Sequence, residues 1–301
     1  MVTNSQLKTT LQCNINSPQH TQAIMNPETL AWPHPLWVGL LCPQPALFVH
    51  KRVQVTEQTF QNKAVYTLTP KLGANSRLML IYLHGGAYVL PCTRPHWKLA
   101  TDLVTQLDCT LVMPDYPLAP EHSAQNIQQF VNDFVANLSR QNPHKTIVLM
   151  GDSAGGGLAL ACAQGLTTKD LGKPHALAHL MLLSPWINLE ITPTNAPLDS
   201  LLTLEQARHA AQLYAGSQPK NNPLLSPALG SLTDLPPISL WIGTHDLLWP
   251  DAVIFQKRLA ATNQPHHFFV YPNMGHTWFL FPHLAEAQQA LHDIVTTLKS
   301  L

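Results

Sequence analysis

The sequence predicts an α/β fold: a mostly parallel sheet of eight strands, helices on both of its faces and a small helical cap. Two patterns predict the layers. From residue 78 to the C-terminus, short apolar runs alternate with stretches of helical length and spacing, giving the order strand, helix, strand, helix. The runs are also apolar at consecutive positions, as strands covered on both faces are, where a half-exposed strand would alternate. With 301 residues and 45% hydrophobic content the chain can bury a sizeable core, and it reads as one domain over 1–301.

The elements follow in order. Residues 1–50 mix polar, proline and tryptophan residues without a period, so they read as a cover and not as a domain. Two β-prone runs, 52–60 and 63–69, flank Gln61-Asn62 and form an antiparallel hairpin that leads the sheet. Six further strands are expected at 78–83, 110–113, 146–150, 180–183, 238–242 and 267–271. Helices are expected at 97–107, 124–138, 154–166, 251–261 and 284–298. The alternation breaks between Pro185 and Pro237, where no strand is evident and Thr203 is placed to cap a helix running to Tyr214. An insertion there rises above the C-terminal strand ends, where open α/β sheets bind ligands. Residues 1–50 and 186–236 are therefore expected to form the cap. Trp32, Trp37, Trp186 and Leu201 are candidates for its pocket-facing wall.

Composition excludes several classes. The 17 basic and 17 acidic residues leave no basic face, so no nucleic-acid partner is expected. The first ten residues lack the charged and apolar regions of a secretory leader, and no apolar run reaches the ~18–20 residues that span a bilayer. Cys13, Cys42, Cys92, Cys109 and Cys162 are odd in number and scattered, as free thiols in a reducing compartment are, and a cytoplasmic location is expected. Of the 16 histidines, His175 and His179 have i, i+4 spacing, but Pro174 precedes them and a strand follows. No metal and no cofactor are expected.

The chemistry lies in the turns. Gly151-Asp152-Ser153-Ala154-Gly155 is a G-x-S-x-G pattern directly after an apolar run, which sets a serine on a sharp strand-to-helix turn. His84-Gly85-Gly86-Ala87 follows another run, where bare backbone N–H groups can meet an oxygen that becomes negative. A serine nucleophile needs a base, and the base needs an orienting carboxylate. Asp246 stands at the end of run 238–242, and His276 in the loop after run 267–271. The order Ser153, Asp246, His276 is the one found when a G-x-S-x-G serine works on an α/β sheet. Asp251 is a rival for Asp246, but it also suits the first turn of the helix it begins. Glu121, Asp152 and His245 are open between a supporting role and that of ordinary turn or loop residues.

Further motifs join these: Asp115-Tyr116-Pro117-Leu118-Ala119-Pro120-Glu121-His122, Leu183-Ser184-Pro185-Trp186, Leu235-Pro236-Pro237 and Asn273-Met274-Gly275-His276. Through this set the chain resembles the α/β-hydrolases of the hormone-sensitive-lipase-like esterase family, from about residue 75 onward. The resemblance implies an α/β-hydrolase fold and a carboxylic ester hydrolase that takes short- to medium-chain acyl esters through an acyl-enzyme. It implies Ser153 as nucleophile, His276 as general base and then acid, and Asp246 as the residue orienting His276. The N–H groups of Gly85, Gly86 and Ala154 are implied as the oxyanion hole. Ala87 stands where the family commonly has a third glycine, Pro117 where it often has arginine, and Leu247 and Gly275 where it often has proline. None of these departures removes a group the mechanism uses. Two other readings stay open: an amidase or arylformamidase on the same triad, and a non-catalytic ligand-binding receptor on the same scaffold. The expected partner is a small-molecule ester, and the oligomeric state is open, with a homodimer among its outcomes.

Overall fold

A short helix, α1 (Leu47–Arg52), leads into a hairpin of β1 (Gln54–Phe60) and β2 (Lys63–Thr69). These and all later elements come from a computed structural model, which describes residues 40–166, 168–172, 176–192, 199 and 201–301. The hairpin pairs from Gln54 opposite Thr69 to Phe60 opposite Lys63. Gln61 and Asn62 connect the strands with φ of 46° and 64°, the left-handed turn whose twist matches the strands it joins.

The other strands are β3 (Leu78–Leu83), β4 (Thr110–Pro114), β5 (Thr146–Asp152), β6 (Leu177–Leu183), β7 (Ile238–Gly243) and β8 (His266–Tyr271). The spatial order is β1-β2-β4-β3-β5-β6-β7-β8. β2 runs antiparallel to β1 and β4, and every later neighbour is parallel. The mostly parallel eight-stranded sheet expected from the sequence is the one observed. β6 starts three residues before its expected start, at Leu177, and the β5–β6 register shifts at Ile147/Val148, where His179 pairs with Val148. A histidine inside a buried strand hid this, and its Nε2 is satisfied by Ser239 Oγ at 2.9 Å on the neighbouring strand.

Helices α2 (Arg94–Leu107), α3 (Ala124–Gln141), α4 (Ala154–Gly165), α5 (Thr168–Leu171), α6 (Leu204–Ala215), α7 (Trp249–Ala261) and α8 (Ala285–Lys299) fill the connections. The continuous apolar strands feed two cores. Met79, Ile81 and Leu83 pack with Phe130, Leu158 and Phe255 of α3, α4 and α7. The alternate residues Leu80 and Tyr82 pack with Trp97, Leu103 and Ile294 of α2 and α8. Residues one apart on a strand point to opposite faces, so the two cores lie on the two sides of the sheet. Thr203 caps α6 as its sequence predicts, accepting from the Gln206 N–H at 3.2 Å while the Gln206 side chain accepts from the Thr203 N–H at 3.1 Å. α7 begins at Trp249, before the expected Asp251, because Pro250 fits a first helical turn.

The topology fixes where a site can form. β4 lies on one side of β3 and β5 on the other. The chain changes direction there, which opens a crevice beyond the C-terminal ends of β3 and β5. The segments that follow β3, β5, β7 and β8 carry His84 to Ala87, Ser153, Asp246 and His276 to this one edge. Trp32, Trp37, Cys13, His175 and the first 39 residues of the expected cap lie outside the described residues. Cys92, Cys109 and Cys162 are buried free thiols, and Cys42 is buried with its Sγ on the Gln44 carbonyl at 3.1 Å. Among the described residues no helix is long and apolar enough to cross a membrane.

Candidate active site

β5 delivers Ser153 at the switch point with φ 50° and ψ −120°, a conformation that L-residues avoid. Backbone bonds hold it there. The Ser153 N–H donates to the Leu183 carbonyl at 3.0 Å, and the Ser153 carbonyl accepts from the Trp186 N–H at 2.8 Å. The turn is too tight for side chains beside it. A Cβ on Gly151 would overlap the Gly155 carbonyl, and a Cβ on Gly155 the Leu83 carbonyl.

The three residues singled out in the sequence meet here. His276 Nε2 lies 2.9 Å from Ser153 Oγ, and His276 Nδ1 lies 3.1 Å from each oxygen of Asp246. Asp246 is fully buried, and its Oδ1 also accepts the Leu248 N–H at 2.9 Å. An ionised carboxylate only accepts, so Nδ1 carries the ring proton and Nε2 is left to accept from the serine hydroxyl. Burial opposes the charged imidazolium, but the charge and hydrogen bond of Asp246, with the charges of Asp199 and Asp152, outweigh it. The His276 pKa is held above its ordinary 6.5. Asp251 points elsewhere: it accepts from Asn188 Nδ2 at 2.8 Å and Thr192 Oγ1 at 2.6 Å, and so ties down the segment after β6.

The glycine loop differs from its expected use at one residue. The Gly85 N–H donates to Asp152 Oδ1 at 2.8 Å, so it faces a carboxylate and not the pocket. Gly86 and Ala87 line the pocket instead. Among the described residues the N–H groups of Gly86, Ala87 and Ala154 have no acceptor. Ala87 adopts φ 53°, a left-handed conformation in which glycine is usual, and its non-glycine identity gave no sign of this unbonded N–H.

Asp152 is the anchor of this loop. It is fully buried, accepts Tyr82 OH at 2.7 Å as well as the Gly85 N–H, and lies 3.2 Å from His96 Nε2. His96 Nδ1 accepts the Thr93 N–H at 3.0 Å, which leaves Nε2–H to donate to Asp152. Burial alone would raise the Asp152 carboxyl, but His96, Tyr82 and Gly85 outweigh it and hold it below the usual value. From the other side Tyr116 stacks on His84 with ring centroids 4.5 Å apart, and its OH donates to the His84 carbonyl at 2.6 Å.

The pocket over Ser153 has an empty volume of about 460 Å³, counting its open mouth, and Leu90, Leu201 and Leu202 supply its apolar wall. Leu201 was a predicted wall residue. Trp186 is fully buried in the core instead, 5.6 Å from the Tyr88 ring, with its indole N–H on the Asn188 carbonyl at 3.0 Å. Glu121 is exposed and His245 half-buried, and neither lines this pocket. Among the described residues, the one group of potential metal ligands close together is Asp199, Asp246 and His276, with donor atoms within 4.8 Å. Its carboxylate oxygens are occupied by backbone N–H groups and the imidazole, so it is a hydrogen-bonded cluster.

A family model described as alpha/beta hydrolase fold matches residues 80–280, more than half of the chain. The chain belongs to the alpha/beta hydrolase fold family. An esterase of Acinetobacter venetianus is 31% identical to this alpha/beta hydrolase over 239 residues, covering 77% of the chain and 78% of that protein. An acetyl-hydrolase of Streptomyces hygroscopicus is 32% identical over 219 residues, covering 70% and 72%. Among solved structures, a hormone-sensitive lipase from a metagenome library aligns with a TM-score of 0.75 at 26% identity, covering 83% and 86%. Beyond the motifs, the alpha/beta hydrolase brings Tyr82, His96 and Asp199 to the site. The sequence marks only the last of these, as the one charged residue between Glu190 and Glu205.

Proposed function

We propose that the protein is a carboxylesterase that cleaves small acyl esters through an acyl-enzyme on Ser153. The observation that carries this reading is the continuous relay from Ser153 Oγ to His276 Nε2 at 2.9 Å and from Nδ1 to Asp246 at 3.1 Å. Three unbonded N–H groups stand beside it. As Ser153 Oγ attacks the ester carbonyl, its proton passes to His276 Nε2 and the carbonyl oxygen becomes an oxyanion. The N–H groups of Gly86, Ala87 and Ala154 stabilise that charge, and one such donor is worth about 2.7–4 kcal/mol in the transition state. Ala154 begins α4, whose N-terminal dipole has the favourable sign. His276 then protonates the departing alkoxide, and the alcohol leaves. Water attacks the acyl group with His276 as base, releasing the acid and restoring Ser153. Asp246 keeps the imidazole oriented and balances its charge throughout.

The esterase and acetyl-hydrolase relatives support ester chemistry on a small acyl group. Leu201 and Leu202 in the wall support a cap formed by the segment after β6, which limits chain length. The buried free thiols of Cys92, Cys109 and Cys162 fit a cytoplasmic setting. An organophosphate probe should add once, on the peptide carrying Ser153. In a series of p-nitrophenyl esters kcat/KM should peak at short to medium acyl chains and exceed that of the matched anilide. A probe adduct on any other residue, or none, counts against the assignment.

The pH profile follows from His276. The neutral imidazole is the working base, and its raised pKa means that it fills with a proton before an ordinary histidine does. The acid limb of kcat/KM is therefore expected with its midpoint above 6.5. A midpoint at or below that value contradicts the arrangement.

A further inference from the structure

Asp199 lies in the insertion after β6, yet its carboxylate reaches three separate segments. Oδ2 accepts the His276 N–H at 2.8 Å and the Leu247 N–H at 3.2 Å. Oδ1 accepts the Leu201 N–H at 2.8 Å and the Leu202 N–H at 3.3 Å. One side chain thus grips His276 itself, the residue after Asp246, and the two leucines of the pocket wall. A Cβ on Gly275 would come within 3.3 Å of Asp199 Oδ1, so the carboxylate packs where glycine leaves room.

We propose that Asp199 is a positioning residue, whose carboxylate locks the His276 loop onto the Asp246 loop and ties both to the apolar wall at Leu201 and Leu202. This rests on the esterase reading above. A neutral acceptor could make the same contacts, but four N–H donors converging on one carboxylate are charge-assisted bonds, stronger than neutral ones. The charge has a second effect. Among the described residues the charged groups that act on His276 are Asp246, Asp199 and Asp152, all acidic. Asp199 therefore helps the imidazolium that forms as Ser153 is deprotonated. Burial pushes the Asp199 carboxyl above its usual value, so this help is lost on acidification earlier than an ordinary aspartate's would be. A residue that only braced the loop would supply the first effect without the second.

Asp199→Asn removes the charge and turns an amide toward two of the four donors, and Asp199→Ser removes the charge with less bulk. Both should be assayed on a short p-nitrophenyl ester across pH, with folding checked by circular dichroism and thermal unfolding. The plateau kcat/KM should fall roughly 10- to 100-fold, and the acid-limb midpoint should move down by roughly one pH unit. A folded variant with the wild-type plateau and midpoint overturns the proposal, and so does a lowered plateau with an unmoved midpoint, which marks a merely structural role. In the wild type the His276 amide proton should resist exchange with solvent; fast exchange overturns the proposal without any variant. Failure of the esterase reading would look different: wild-type protein without ester turnover or without a probe adduct on Ser153.

Discussion

Ser153→Ala is expected to reduce ester turnover by on the order of 10⁴- to 10⁶-fold while leaving the protein folded. The loss is large because no other group can replace the attacking oxygen, and what survives is binding and oxyanion stabilisation alone. The fold should hold because the hydroxyl bonds only to His276 among the described residues. The strained φ of 50° is maintained by backbone bonds to Leu183 and from Trp186, which alanine keeps. Alanine also pays the same left-handed penalty that serine already bears. Thermal unfolding within a few degrees of wild type, with kcat/KM reduced by that factor, is the expected pair of results. Turnover within tenfold of wild type would remove Ser153 from the mechanism, and an unaltered affinity for a small ligand with no activity in either protein would favour the receptor reading.

What the sequence made legible, and what it did not, follows from the range of the interactions. The strands were readable because burial on both faces writes itself as consecutive apolar residues, and the start of α6 because Thr203 carries a local capping signal. Where a polar residue interrupts the pattern the reading stops short. His179 hid the start of β6, since the Ser239 hydroxyl that accommodates it lies 60 residues away. The Ser153, Asp246 and His276 set was readable because each follows a strand that ends at the same sheet edge. The donors were only half readable. Glycine identity pointed to Gly85 and Gly86, but a donor is defined by an unspent N–H, and Asp152 spends that of Gly85. Asp199 was unreadable in role because its partners Leu247 and His276 are backbone groups 48 and 77 residues away, which no side-chain identity encodes.

Asp152→Asn is expected to cost about 1–3 kcal/mol of stability and on the order of 10² in kcat, with KM little changed. The carboxylate accepts on both oxygens, from Tyr82 and Gly85 on one and from His96 on the other. An amide can accept on one side only. If its oxygen stays with Tyr82 and Gly85, its NH₂ meets the Nε2–H of His96, and the ring cannot change tautomer because Nδ1 already accepts the Thr93 N–H. If it turns over, the conflict moves to the Gly85 N–H itself. Either way two buried donors face each other, and the loop that follows Gly85 loses its anchor. Gly86 and Ala87 come next in the chain, so their N–H groups shift from the place where the oxyanion forms. An interaction made only in the transition state lowers kcat and not KM when it is lost. Asp152→Ala, which leaves Tyr82, Gly85 and His96 all without an acceptor, should be less stable than Asp152→Asn in urea unfolding. The kinetics also decide between the two sets of donors. If the Gly85 N–H served the oxyanion, releasing it from Asp152 would leave kcat unchanged or raise it. A fall in kcat at constant KM, with Ser153 still labelled by the organophosphate, assigns the role to Gly86 and Ala87.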